Sequence, residues 1–267
     1  MSFKSTSRNA LLALVCCGLI LGACAAYDSG TSPAPAEPPP PPELTEEQKI
    51  VARFVEALGG EDALRAYSSA TTKGAFELPA MGMSGDMTVY QMAPDKTLLT
   101  ISLPGMGETV TGYNGEIGWA EDPMQGARIL EGELLAEAKR DARFYGELEY
   151  DELYPEQTVA GETEWNGQAV HQLDLVDSDG NESSQYFATD TGLLVGAEAT
   201  MTNEMGTMEV TFNFTGYQEF GGVTIPTSTT MSMMGMEITQ TVESVTWDDV
   251  DPSVFEPSEA IKALLPE

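Results

Sequence analysis

The chain has 267 residues, 42% of them hydrophobic, and its 43 acidic and 12 basic residues give a formal charge of −31. That length is enough for a real core, and that charge leaves no basic patch for phosphates, which excludes nucleic acid as a partner and argues against direct adhesion of the folded part to an anionic membrane. Cys16, Cys17 and Cys24 are the three cysteines, so nothing after residue 24 can form a disulfide, a thiolate metal site or a catalytic thiolate.

The N-terminus reads as a targeting segment. Lys4 and Arg8 precede an apolar run from Ala10 to Leu21, which has the length of a signal-peptide core and is short for a membrane span. It ends in Leu21-Gly22-Ala23-Cys24, which resembles the lipobox of bacterial lipoproteins. The resemblance implies a signal peptide over 1–23 and a lipidated Cys24 as the new N-terminus. Two or more acyl chains would anchor it stably. Ala25 follows the cysteine in place of the Asp that retains enteric lipoproteins at the inner membrane, which favours the outer membrane. Residues 24–44 form a tether whose run Pro38 to Pro42 holds an extended polyproline II spacer.

Thr45 to Gly59 predicts an amphipathic helix. Thr45-Glu46-Glu47-Gln48 is a capping box, Ile50, Val51, Phe54, Val55 and Leu58 form one stripe, and Gly59-Gly60 ends it. A short helix, Glu61 to Tyr67, leads into a meander over Lys73 to Trp119. There Phe76 and Leu78, then Met83, Gly85, Met87 and Val89, then Leu99, Ile101 and Leu103 alternate with polar or small residues, as strands with one apolar face require. Ala93-Pro94-Asp95-Lys96 and Tyr113-Asn114-Gly115-Glu116 are the turns. That apolar face is rich in Met and Gly, which suits variable apolar partners.

Glu131 to Tyr145 predicts a second helix with Leu134 and Leu135 on one side, and Tyr150 to Tyr154 a further turn of helix. Strands follow at Gln168–Leu175, Gln185–Ala188, Leu193–Thr200, the alternation Met208, Val210, Phe212, Phe214, then Val223–Met233 and Met236–Trp247. In the last strand Ile238 and Val242 share one parity but Val245 and Trp247 share the other, so a β-bulge is expected near Glu243-Ser244. The count is about ten or eleven antiparallel strands and two main helices, giving one mainly β (α+β) domain over 45–267. No Lys or Arg occurs between Arg143 and Lys262. This stretch is either a solvated acidic surface kept soluble by self-repulsion or a docking face for a basic protein.

Several landmarks together are similar to the LolA/LolB-like lipoprotein-carrier superfamily. They are Ala57-Leu58-Gly59-Gly60, Ala93-Pro94-Asp95-Lys96, Gly112-Tyr113-Asn114-Gly115 before Trp119, Gly126-Ala127-Arg128, Phe187-Ala188-Thr189-Asp190-Thr191-Gly192-Leu193-Leu194, and Pro252 to Phe255. The resemblance implies an incomplete antiparallel β-barrel with helices closing a hydrophobic cavity for acyl chains of a lipid or lipoprotein. It also implies a non-enzymatic role in transport, reception or sorting at the outer membrane, facing the periplasm. The expected cavity residues are Phe76, Met83, Met87, Val89, Leu99, Ile101, Met208, Val210, Phe212, Phe214, Met231 and Met233 on the strands, with Leu134 and Leu135 on a lid helix. The expected state is a monomer without cofactor or bound metal.

Other chemistry fits less well. Gly82-Met83-Ser84-Gly85 lacks a full nucleophile elbow. His171 is the sole histidine and sits on the apolar parity of its strand, so it reads as a core residue. Asp177-Ser178-Asp179-Gly180-Asn181 has its glycine two positions early for a calcium loop and reads as a hairpin turn. Asp248, Asp249 and Asp251 read as surface charge at a strand end. The main alternative is Cu(I), which thioethers select. Its candidate groups are Met81, Met83 and Met87, then Met201, Met205 and Met208, then Met231, Met233, Met234 and Met236. A lipid or stress sensor on the same fold is the third reading.

Overall fold

The computed structural model describes residues 43–203 and 206–266. Cys24, the signal peptide and all of the tether before residue 43 lie outside the described residues, as does Met205. The capping box forms as expected: the Thr45 hydroxyl accepts from the Gln48 amide, and the Gln48 side chain accepts from the Thr45 amide, so α1 starts at Glu46 and runs to Ala57. A four-residue helix, α2 (Glu61–Leu64), follows.

The meander is longer than the alternation suggested. Its strands are β1 (Ser69–Leu78), β2 (Met83–Met92), β3 (Lys96–Leu103), β4 (Gly107–Tyr113), β5 (Gly118–Asp122) and β6 (Gly126–Ile129). After helices α3 (Gly132–Asp141) and α4 (Tyr150–Leu153) come β7 (Glu156–Trp165), β8 (Gln168–Val176), β9 (Glu182–Ala188), β10 (Leu194–Asn203) and β11 (Gly206–Thr215). The chain continues through β12 (Gln218–Phe220), β13 (Val223–Ile225), β14 (Ser228–Met233), β15 (Met236–Trp247) and the last helix, α5 (Glu259–Lys262). Thirteen strands form one antiparallel sheet in the order β6-β5-β4-β3-β2-β1-β15-β14-β11-β10-β9-β8-β7, and β12 and β13 form a separate hairpin.

Three local expectations change. Val223–Met233 is two strands, because Pro226 has no N–H to donate and sits in the break. The second helix stops at Asp141, and the chain beyond it is tied down by the Phe144 amide donating to the Pro94 carbonyl and the Tyr145 hydroxyl donating to the Tyr67 carbonyl. The aspartates after β15 are structural staples. Asp248 accepts from both Ser68 and Ser69 amides, and Asp249 accepts from the Thr71 hydroxyl, so they fasten the end of β15 to the start of β1.

The sheet must curl strongly, and two features show how. Opposite β1, Lys73 pairs with Ser244 while Gly74 pairs with Val242, so Glu243 is the extra residue of the expected bulge. Beside it the backbones crowd: a Cβ on Gly74 would lie 1.7 Å from the Thr241 carbonyl oxygen. A bulge next to a bare glycine bends a sheet at that point. The bend brings distant strands to one helix. Leu135 of α3 packs over Gly118 of β5, and Arg140 of the same helix pairs with Asp177 at the β8–β9 turn, 2.8 Å away. Those strands are ten steps apart in the sheet, about 48 Å if it were flat. Along the helix Leu135 and Arg140 are separated by only about 7.5 Å. The result is an incomplete barrel bridged by α3.

Burial opposes the charge on Asp177, whose side chain is 5% exposed. Bonds from the Asn181 side chain and amide, with the Arg140 guanidinium, outweigh it and hold the carboxyl below its ordinary range.

Candidate apolar trough and cavity

Antiparallel partners point to the same face, and so do residues two apart on one strand. On that basis all twelve strand residues expected in the cavity share one face. Met87 pairs with Gly74 and Ile101, Val89 with Leu99, Met83 with Leu78, and Phe76 with Gly85. Across the bend, Val210 pairs with Met233 and Phe212 with Met231, while Met208 and Phe214 keep the same parity on β11. Val210, Met87 and Met208 are buried. The other nine are only half-buried. They form an apolar floor without a full cover, and Phe212 and Phe214 lie ring over ring along it, centroids 6.4 Å apart.

One end of this face is covered. Phe54 and Leu58 of α1 pack with Tyr150, Leu173, Leu175 and Phe187 into a closed core, with Phe54 edge-on to Phe187 at 5.4 Å between centroids. Between this core and the bend lies a cavity of about 280 Å³. Its walls come from α1, α2, the segment after α3, and the ends of β1, β11 and β15, including Leu64, Thr72, Phe144, Phe214, Tyr217, Val245 and Trp247. Following parity outward from Thr72, Val245 and Phe214 leads onto the open floor, so cavity and floor are one continuous trough.

Of the residues expected from the sequence, Phe214 alone is among the described residues that line the cavity itself. Leu135 covers the β5 edge, whereas Leu134 on the same helix is 54% exposed. The residues that alternation did not reveal are Phe144, Glu147, Tyr217 and Trp247. The first three sit in irregular segments, where no periodicity marks an inward side chain. Trp247 could have been found, because the bulge that was legible in β15 fixes its parity.

The cavity has few polar groups. The Tyr217 hydroxyl donates to the Leu194 carbonyl, and burial, helped by Glu147, pushes the phenol well above its usual range. Tyr150 donates to Gln185 at 2.5 Å behind it. The Glu147 carboxyl is also pushed up, by burial and then by the charge of Glu149.

The two largest of the other concavities described differ in kind. A groove of about 530 Å³ on the opposite parity of β7 to β11 is lined by Glu156, Asp174, Glu182, Glu198 and Glu209, and such a carboxylate surface suits no acyl chain. A cleft of about 400 Å³ beside α1 holds His171. The histidine is half-buried, its side chain 28% exposed and Nδ1 3.9 Å from Glu162, so it is not the fully enclosed core residue expected. Among the described residues no three His, Cys, Asp or Glu side chains are grouped to hold a metal ion. Met83 and Met87 share one face but are four residues apart, about 13 Å, whereas Met233 pairs directly with Met236 across the β14–β15 ladder.

The trough opens toward one row of turns. The β1–β2, β3–β4, β5–β6 and β14–β15 turns all lie at the same end of the sheet, in eight adjacent strands. Each carries an exposed methionine: Met81, Met106, Met124 and Met234. Met124 is 84% exposed.

No protein-family model matches the sequence, and no curated protein matches it. Solved structures do share its architecture. A DUF1329 family protein from Desulfovibrio piger aligns with a TM-score of 0.58 at 13% identity, covering 80% of this chain and 98% of that one. A LolA superfamily protein from Nitrosomonas europaea aligns at 0.55 with 14% identity, covering 80% of this chain and 99% of that one. A Vibrio parahaemolyticus domain named for outer membrane lipoprotein sorting aligns at 0.51 with 12% identity, covering 78% and 94%. At such identities the likeness is one of fold.

Proposed function

We propose that this chain, whose fold is LolA-like, is a non-enzymatic envelope protein that holds acyl chains of a lipid or lipoprotein in its trough. The observation that carries the reading is the floor: nine half-buried apolar side chains on one face, continuous with a cavity that helices partly cover. Leaving such a surface wet is unfavourable, and each methylene of a guest that covers it gains about 0.8 kcal/mol. Extraction of a chain from a bilayer loses a similar amount per methylene, so transfer between membrane and trough is near balance. Balance suits a carrier or receiver better than an irreversible sink. Lipidation at Cys24 and the proline tether would hold the domain near its cargo, at the outer membrane facing the periplasm. The acidic stretch after Arg143 would meet a basic partner protein there.

The test is native mass spectrometry of the protein purified without detergent, followed by lipid extraction, together with binding of a fluorescent fatty-acyl ester. Bound acyl lipid in the first and saturable binding in the second are expected. Stoichiometric Cu(I) binding with no acyl ligand in either would sink the reading in favour of copper. Replacing Cys24 with Ser should move the protein from the membrane to the soluble fraction, and persistence on membranes after a high-salt wash would remove the lipid anchor.

A further inference from the structure

Among the described residues two charged side chains line the partly open cavity, Arg143 and Glu147. They are not equivalent. The Arg143 guanidinium faces Glu149 at 3.2 Å and Glu152 at 3.3 Å, so two carboxylates already balance its charge. Glu147 makes no side-chain ion pair or hydrogen bond to another described residue; only its own amide approaches its carboxyl. The Tyr217 hydroxyl donates to the Leu194 carbonyl and the Tyr150 hydroxyl to Gln185, and of the other polar lining residues, Thr72, Gln91 and Thr224, none is bonded to Glu147. The cavity therefore presents a half-buried acceptor that no described side chain bonds, and its one lining cation is already paired.

We propose that Glu147 sets the ligand's head group: the cavity takes acyl chains whose head brings a hydrogen-bond donor, a hydroxyl or amide N–H on an ester- or amide-linked lipid, and turns away free fatty carboxylates. The inference rests on the acyl-binding reading above. Glu147 is half-buried, so a ligand seated over it strips its remaining water. A donor on the ligand's head then satisfies a carboxylate that would otherwise be left without a partner, which is the expensive state for a polar group. A ligand carboxylate in the same place adds a second negative charge in a medium that screens poorly. Its only available counter-ion, Arg143, is held by two competitors.

The test compares two ligands with the same chain, monolaurin and laurate, displacing a neutral fluorescent probe from the full chain carrying Cys24→Ser at pH 8. Wild-type affinity is expected to favour monolaurin by about tenfold or more. Glu147→Gln, which keeps the shape and can both donate and accept, should bring the two within about threefold. The protein's overall charge also repels laurate, but that long-range effect fades in about 1 M salt, where the Debye length is near 3 Å. The Glu147 preference should survive there. If Glu147→Gln unfolds, Glu147→Asp, which keeps the charge, must still reject laurate. Equal wild-type affinities, or a ratio unchanged by Glu147→Gln, overturn the inference while leaving acyl binding intact. Binding of neither ligand overturns the acyl-binding reading and this one with it.

Discussion

The concave face has two halves written in the same alternating pattern, and they have opposite fates. Over β8 and β9, Leu173, Leu175 and Phe187 meet Phe54, Leu58 and Tyr150 and are sealed. Over β2, β3 and β14, Val89, Leu99, Ile101 and Met231 point to the same side yet stay half-wet. The pattern that makes a strand amphipathic does not decide what covers it. In the sealed half a helix supplies the cover. In the open half α3 lies chiefly against β4 and β5, near the edge of the sheet. Methionine marks the difference: the sealed cluster holds none, whereas the open floor carries Met83, Met87, Met231 and Met233, of looser shape, among its branched and aromatic side chains. The sealed half is thus expected to carry stability and the open half affinity.

The sharpest way to break both halves at once is the bend between them. Gly74→Ala puts a methyl 1.7 Å from the Thr241 carbonyl oxygen, where backbone cannot yield cheaply. Loss of more than about 4 kcal/mol, or failure to fold, is expected in urea titration. A variant of wild-type stability would show that the sheet does not turn there. Within the sealed half, Leu173→Ala opens a hole in a fully buried site and should cost about 2–5 kcal/mol. Its acyl-ligand affinity, measured below the melting range, should stay near wild type.

Phe212→Asn is the mirror experiment. Its ring is half-exposed without ligand, so the free protein should lose less stability than with Leu173→Ala. A bound chain would strand the amide, costing about 1–3 kcal/mol of affinity. Thr211→Asn points to the acidic groove on the other face and should change neither. Equal affinity losses for the two variants would remove β11 from the floor. Arg140→Ala cuts the link between α3 and the β8–β9 turn. Asp177 keeps its bonds from Asp179 and Asn181, so the stability cost should be about 1 kcal/mol. Ligand release, followed by stopped flow, should quicken.

The smallest effect is a pH dependence. The folded-state pKa of Glu147 is raised, so the folded protein binds more protons than the unfolded chain between the ordinary carboxyl value and the raised one. Stability from this group falls as pH rises through that window. Glu147→Gln should therefore melt higher than wild type at pH 8, and the gain should vanish below the ordinary carboxyl range. A constant gain at all pH values would mean that the carboxyl is not desolvated.

Much of this contrast was legible in the chain. The capping box, the shared parity of all twelve floor residues and the bulge at Glu243 follow from local chemistry and period-two alternation, and each is set by neighbours in sequence. Strands β5, β6, β12 and β13 have three to five residues, too few to show a period. β7 was missed because it is an edge strand with a register shift after Val159 and acidic residues at Glu156, Glu162 and Glu164. The enclosed cavity was not legible. Glu147, Phe144 and Tyr217 are brought to it by tertiary bonds such as Phe144 to Pro94, which leave no trace in spacing.

The row of methionines at the open end has a redox consequence. A thioether in a hairpin turn is the easiest place for an oxidant to reach, and its sulfoxide is polar and chiral where the sulfide was apolar. Met124, Met81 and Met234 should therefore take up oxygen from dilute peroxide before Met87 and Met208, which the fold shields. Peptide mapping along an oxidation time course would read the order. The change would wet the mouth of the trough while leaving its floor intact, and methionine sulfoxide reductases would restore it. An oxidant would thus meet the exposed rim before the shielded methionines of the floor.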